Sequence, residues 1–159
     1  MNTRTLNRLL KTYSAEEIFF LAEVAATHYA VAKPLLSSPG MIKSFLRAAM
    51  NPASRRTEAF HVLYMDTQNQ LIAHEIPFQG TVDSCAVHVR EIVVRALHHN
   101  AAAVVFAHNH PSGTAEPSAA DRAITERLKA SLALVEVRVL DHMVVGYPDI
   151  ISLAERGWI

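Results

Sequence analysis

The chain has 159 residues, of which 50% are hydrophobic and 19% are charged, and its 15 Lys and Arg balance its 15 Asp and Glu. This length suits one compact domain, and the content of 5 Gly and 7 Pro excludes a collagen-like or low-complexity chain. The zero net charge argues against an obligate nucleic-acid binder, which usually carries a basic excess, and leaves a local basic patch open.

The single cysteine and the N-terminal sequence predict a cytoplasmic protein without membrane association. Cys85 cannot form an internal disulfide, which fits a reducing compartment, and we interpret it as an inert buried thiol and not as a nucleophile. The N-terminus lacks the apolar core of a signal peptide. The most apolar early run, residues 18–32, contains Glu23 and His28 and is too interrupted to span a bilayer.

The first part of the chain predicts two helices followed by a hairpin. Ser14 can cap an amphipathic helix that extends to about Val31. A second helix follows Ser38-Pro39 and ends at Asn51-Pro52. Residues 58–65 and 71–76 are strand-like and are joined by a polar turn, so they predict a β-hairpin.

The second part predicts alternating helices and strands. We expect a helix over His88–His99, a buried strand over Ala102–Ala107, a helix from Ser118 to about Leu132, and strands near Val135–Leu140 and Met143–Val145. The order predicts an α/β (α+β) fold with a mixed central sheet flanked by helices. We divide the chain into an N-terminal helical extension, residues 1–36, and one domain, residues 37–159.

The segment from His108 to Asp121 contains the candidate functional residues. It directly follows the predicted buried strand, and ligand sites of α/β proteins are common at the ends of such strands. In extended backbone, His108 and His110 project to the same side. Pro111, Gly113 and Pro117 turn the loop back, so that Asp121 on the next helix can face the two imidazoles. Three protein ligands with one open position are typical of a catalytic zinc site.

Simpler interpretations exist for each of these residues. A His-x-His pair is more often hydrogen-bonded or surface-exposed than metal-binding, and Ser118 with Asp121 also reads as a helix cap. Asn109 is either a hydrogen-bonding residue that orients the loop or a solvated residue. For Asp141-His142 we favour a pair that satisfies itself within the sheet over one that orients a metal ligand.

The string His-x-His-Pro-x-Gly-x-x-x-Pro-Ser-x-x-Asp resembles the JAMM motif of the JAB/MPN metalloprotease superfamily, and its His-Asn-His-Pro-Ser-Gly form resembles the bacterial RadC-like branch. The likeness runs from about Ser37 to Ile159, and we expect the short form, without the helix-hairpin-helix region of full-length RadC-like proteins. The resemblance implies a JAB/MPN-like (cytidine-deaminase-like) domain.

The resemblance also assigns the site. It implies that His108, His110 and Asp121 bind Zn²⁺ and that Ser118 helps to hold the oxyanion of the tetrahedral intermediate. An upstream glutamate acts as the general base in this superfamily. We choose Glu58, which opens the first strand of the domain, over two weaker candidates, Glu75 and Glu91.

These assignments predict a zinc-dependent hydrolase that cleaves a peptide or isopeptide amide bond in a peptide or protein substrate. The alternative is a DNA-repair or mobile-element-associated factor that acts on or near DNA, with a structural or nucleolytic metal site. A non-catalytic scaffold of the same fold is a third hypothesis, and the retention of all three ligands weighs against it.

Overall fold

A computed structural model of the chain describes residues 12–14, 17, 34–50, 57–80 and 86–159. The chain divides into two compact units, Met1–Pro34 and Leu35–Ile159. In the first unit, the N–H of Glu17 donates to Ser14 Oγ (3.2 Å) and the N–H of Ser14 donates to Glu17 Oε2 (2.8 Å), as expected of a helix cap at Ser14. The remainder of the helix predicted up to Val31 lies outside the described residues, as does Cys85.

The described part of the second unit contains three helices and five strands. They are α1 (Pro39–Ala49), β1 (Ala59–Met65), β2 (Leu71–Gln79), α2 (Val89–His98), β3 (Ala103–Asn109), α3 (Ala119–Ala133), β4 (Arg138–Val145) and β5 (Ile150–Ser152). None of these helices is long and apolar enough to cross a membrane.

The strands form one mixed sheet in the order β2-β1-β3-β4-β5. β1 is antiparallel to β2 and β3, β4 is parallel to β3, and β5 is antiparallel to β4. The parallel pair needs a crossover, and α3 provides it. Every residue of β1 and β3 is buried, which explains why both strands have nearly continuous apolar sequences.

Helices cover both faces of the sheet. On one face, Ile42 and Leu46 of α1 belong to an apolar core with residues of β1, β3 and β4. On the other face, Ile92 of α2 and Leu128 of α3 belong to a second core. The predicted fold class, a mixed sheet flanked by helices, is therefore confirmed.

Local signals place most of the elements correctly. Ser38 caps α1 by accepting a hydrogen bond from the N–H of Met41 (3.3 Å), and Pro39 is the first helical residue. In the β1–β2 turn, Asp66 Oδ1 accepts from the N–H groups of Gln68 and Gln70, both at 2.9 Å. The predicted hairpin and the helices after His88 and Ser118 are confirmed.

The prediction of two strands near Val135–Leu140 and Met143–Val145 is wrong, because a single strand, β4, covers Arg138–Val145. The parallel register shifts by one residue between Val104 and Val105, so Leu140 forms a bulge just before Asp141. This bulge and the polar pair Asp141-His142 interrupt the apolar pattern of one continuous strand. The sequence prediction also missed the short strand β5.

Candidate metal centre

The two predicted histidine ligands lie at the carboxyl end of β3. The strand extends through Asn109, so the side chains of His108 and His110 point to the same face. Their Nε2 atoms are 3.0 Å apart, and His108 is 1% exposed. The polar end of this otherwise apolar strand is therefore buried within the protein.

The loop after β3 returns Asp121 to the same place. Gly113 turns the chain in a left-handed conformation (φ 82°), and its N–H donates to the carbonyl of His110 at 3.0 Å. Asp121 lies in the first turn of α3, where its Oδ1 is 3.2 Å from His108 Nε2 and its Oδ2 is 3.5 Å from His110 Nε2. Strand, loop and helix thus bring all three predicted ligands together.

The three side chains fit a metal ion. In a tetrahedral zinc site with bonds of about 2.0–2.1 Å, neighbouring ligand atoms are roughly 3.3 Å apart. Here the two Nε2 atoms are 3.0 Å apart, and each lies 3.2 or 3.5 Å from one of the two carboxylate oxygens of Asp121. In the described part of the chain, His108, His110 and Asp121 form the group of potential metal-binding side chains whose ligand atoms all lie within 4.8 Å of one another. Two imidazoles and one carboxylate form a donor set that leaves a position for water or substrate.

Hydrogen bonds on the far side of each imidazole orient the two rings. His110 Nδ1 donates to the carbonyl of Thr114 (2.8 Å), so the neutral ring that keeps this bond carries its lone pair on Nε2, the atom that faces Asp121. His108 Nδ1 is 2.9 Å from His142 Nε2, and His142 Nδ1 is 2.5 Å from Thr125 Oγ1. Such outer hydrogen bonds fix the tautomer and orientation of metal-binding histidines.

His142 is a supporting residue that the sequence interpretation placed incorrectly. It is completely buried, and burial lowers its pKa well below the usual value, so the ring is neutral. A neutral ring can accept from His108 Nδ1–H and donate to Thr125, which in turn donates to the carbonyl of Asp121. The favoured interpretation, in which the pair satisfies its own hydrogen bonds within the sheet, is correct only for Asp141. The carboxylate of Asp141 accepts from the Ser152 hydroxyl and from backbone N–H groups.

Asp121 and His110 stabilise each other's charged forms. Burial acts to raise the pKa of Asp121, but hydrogen bonds from His108 and His110 hold that pKa far below its usual value. The pKa of His110 is raised, chiefly by its hydrogen bond to Asp121, and the charge of Glu58 contributes to the same shift. Asp121 is therefore ionised at neutral pH, as a metal ligand must be.

Ser118 caps α3 and binds the proposed ligand Asp121. Its Oγ accepts from the N–H of Asp121 (3.1 Å), and its hydroxyl donates to Asp121 Oδ2 (2.7 Å). The N–H of Ser118 donates to the same oxygen at 2.7 Å, which completes a capping box. The hydroxyl therefore contacts a side chain that is itself a proposed metal ligand.

Glu58 immediately precedes β1 at the site end of the sheet. The antiparallel pairing of β1 with β3 ends at Phe60 and His108, so Glu58 lies two residues beyond the last pair, at the same end of the sheet as His108. The carbonyl of Glu58 accepts from the N–H of Gly80 at 2.8 Å, which ties this residue to the end of β2. Among the candidate bases, Glu58 is the one whose charge affects a predicted ligand.

The other two candidate bases are placed less favourably. Both carboxylate oxygens of Glu75 are engaged at 2.9 Å, one by Arg95 and the other by His99, near the end of α2. Glu91 lies in the first turn of α2 and is exposed.

Comparison with known proteins agrees with this geometry. The family model described as "RadC-like JAB domain" matches residues 36–158. The chain belongs to the RadC-like JAB family. A UPF0758 protein of Cellvibrio japonicus is 58% identical over 125 residues, which cover 79% of this chain and 55% of the relative. UPF0758 proteins of Vibrio cholerae and Vibrio atlanticus are each 56% identical over 124 residues, which cover 78% of this chain and 54% of the relative.

The chain spans about half the length of these relatives. The resemblance read from the His108–Asp121 string is thus confirmed at the level of the family and of the JAB domain. The string lies within the matched region and carries the three side chains that the structure brings together.

Proposed function

We propose that this domain is a zinc-dependent hydrolase of the JAMM type that cleaves a peptide or isopeptide bond. One observation carries the proposal: the Nε2 atoms of His108 and His110 and the carboxylate of Asp121 converge, while both Nδ1 atoms are engaged elsewhere. This arrangement favours binding of a divalent ion over a purely structural cluster, because each ring presents a lone pair to one point. The peptide bond is proposed on the family's relation to metalloproteases.

The zinc ion, held by His108, His110 and Asp121, would supply Lewis acidity that makes water a nucleophile near neutral pH. In the proposed reaction, Glu58 accepts a proton from the attacking water as the new C–O bond forms. It then delivers that proton to the amide nitrogen as the C–N bond breaks, which gives a carboxylic acid and an amine. The acid passes its own proton to the amine, so the final products are a carboxylate and an ammonium group. The position of Glu58 just beyond the Phe60–His108 pair, and the effect of its charge on the pKa of His110, support this role.

Ser118 is proposed to donate its hydroxyl to the developing oxyanion. In the structure this hydroxyl donates to Asp121 Oδ2 (2.7 Å), so it would have to turn from the carboxylate towards the substrate oxygen. Loss of one such donor typically raises the barrier by about 3–4 kcal/mol.

The test combines metal analysis with hydrolysis of a pool of internally quenched fluorescent peptides. We expect about one zinc per chain in the purified wild type and loss of zinc in His110→Ala. Glu58→Gln should keep its zinc and lose activity by at least 100-fold, the scale of general-base catalysis. Glu75→Gln is the matched control, because Glu75 is a partly buried glutamate with ion-pair partners of its own, and its activity should stay close to that of the wild type.

Two results would overturn the proposal. One is zinc-loaded wild type that cleaves none of the peptides, and the other is activity that is indifferent to both Glu58→Gln and His110→Ala. Salt-dependent DNA binding without Glu58-dependent hydrolysis would favour the DNA-associated alternative instead.

A further inference from the structure

Asn109 stands between the two proposed histidine ligands, and its side chain points away from them. It is 1% exposed, in the last position of β3. Successive side chains of a strand alternate between faces, so Asn109 lies on the face opposite to His108 and His110. A buried amide needs partners for both its oxygen and its nitrogen.

The partners of Asn109 are the backbone groups on either side of Glu58. Asn109 Oδ1 accepts from the N–H of Ala59 at 2.9 Å, and Asn109 Nδ2 donates to the carbonyl of Thr57 at 3.1 Å. One side-chain amide therefore bridges the residue before Glu58 and the residue after it.

These two hydrogen bonds take over where the sheet pairing stops. The β1–β3 ladder ends at the pair Phe60 and His108, so beyond Phe60 backbone pairing with β3 no longer fixes the chain. The Asn109 side chain extends the connection past the ladder, and the bond from Gly80 N–H to the carbonyl of Glu58 (2.8 Å) anchors the same segment to β2. Glu58 is thus held by backbone bonds at the end of β1, where its charge acts on His110.

We propose that Asn109 is a positioning residue, which fixes Glu58 relative to the His108–His110 pair by clamping the backbone of Thr57 and Ala59. This inference rests on the proposed function, because it assigns a supporting residue to the proposed base. Asparagine suits the task since its amide offers one acceptor and one donor, whereas aspartate keeps only acceptors and alanine has neither.

The first experiment measures the clamp without any catalytic assay. Amide hydrogen exchange followed by NMR on the zinc-loaded full chain compares wild type with Asn109→Ala. We expect exchange at Ala59 to accelerate at least tenfold, because its N–H loses the side-chain acceptor, while Val62 and Leu63 inside β1 change less than twofold. Unchanged exchange at Ala59 would refute the clamp.

The second experiment asks whether the clamp serves catalysis. With the same quenched peptides, Asn109→Ala should keep its zinc and its KM and lose about 10- to 100-fold in kcat, since small misplacements of a catalytic group cost rates of this order. In a Glu58→Gln background the additional loss should nearly vanish, because Asn109 acts through Glu58. An equal loss in both backgrounds would indicate a general structural effect and overturn the proposal.

Two further variants keep the test decisive. Ser152→Ala removes another buried hydrogen bond, the one to Asp141, and should leave kcat within twofold of wild type.

If Asn109→Ala does not fold, the nearly isosteric Asn109→Asp replaces it. Asn109→Asp keeps the acceptor for Ala59 and loses the donor for Thr57, so kcat should fall while zinc is retained. Wild-type kcat in Asn109→Asp would then count against the positioning role.

The two proposals fail in distinguishable ways. If the wild type is inactive, or Glu58→Gln is as active as the wild type, the proposed function fails, while exchange at Ala59 still decides whether Asn109 clamps this backbone. If Glu58→Gln is inactive and Asn109→Ala is fully active, only the positioning role of Asn109 fails.

Discussion

Gly146, directly after β4, allows the loop that follows His110 to pack against the sheet. A Cβ atom at this position would lie 2.3 Å from the carbonyl oxygen of Gly113 and 2.7 Å from the backbone nitrogen of Ala115. Both contacts involve backbone, so Gly146→Ala cannot be accommodated by a side-chain rotation. Restoring an ordinary contact requires a shift of roughly 1 Å in the loop.

That shift has two measurable consequences. Overpacking of this kind typically lowers the free energy of unfolding by about 1–3 kcal/mol. Because the contacts of Gly146→Ala involve backbone, we expect the upper end of this range. For a chain of this size, such a loss lowers Tm by roughly 6–12 °C. The loop also carries Thr114, whose carbonyl is 2.8 Å from His110 Nδ1, and a movement of roughly 1 Å breaks this bond. Loss of such an outer hydrogen bond typically weakens metal binding by about 10- to 100-fold.

Thermal unfolding of the metal-free protein and zinc titration against a chromophoric chelator test the two effects separately. Gly40→Ala is the matched control, because a Cβ at Gly40 in α1 meets nothing within 4 Å. This control should stabilise the protein by about 0.5–1 kcal/mol and leave zinc affinity unchanged. If Gly146→Ala keeps both wild-type Tm and wild-type zinc affinity, the proposed role of the loop packing is refuted.

Three further predictions follow from single contacts. Ser118→Ala should lower the free energy of unfolding of the metal-free protein by about 1 kcal/mol through loss of the α3 cap, as measured by urea titration. His142→Ala should weaken zinc binding by about 10- to 100-fold because His108 loses its orienting partner, and equal affinity in a chelator competition would contradict this. The third concerns Glu75: burial acts to raise its pKa, but hydrogen bonds from His99 and Arg95 lower it. Its contribution to stability is therefore present above its unfolded pKa of about 4.3 and is lost as pH falls through the lowered folded pKa. The difference in unfolding free energy between wild type and Glu75→Gln should shrink between pH 7 and pH 3.

The sequence predicted that His108, His110 and Asp121 converge because the signals that place them are local. The alternation that places His108 and His110 on one face is a property of any strand, and the Ser118 cap fixes Asp121 in the first turn of α3. The central strands β1 and β3 were equally predictable from the sequence, because strands that are buried on both faces have nearly continuous apolar runs.

The supporting residues were harder to predict because their partners are distant in the chain. Asn109 bonds backbone groups about fifty residues away, and His142 meets His108 only when β4 lies parallel to β3. The bulge at Leu140 also depends on the partner strand, so the break it causes in the apolar pattern was misread as the end of a strand. A polar pair between two apolar runs was the signal for His142, but periodicity does not specify which group a buried imidazole will bind.

The structure separates the proposed ligands from the groups that orient them. All three proposed ligands come from the short stretch His108–Asp121. The orientation of His108, in contrast, depends on β4, and the placement of His110 depends on the bond from its N–H to the carbonyl of Val145 (3.0 Å). Grafting this stretch alone onto another scaffold would transfer the coordinating atoms without their alignment. A transplant intended to work must carry the neighbouring parallel strand along with the motif.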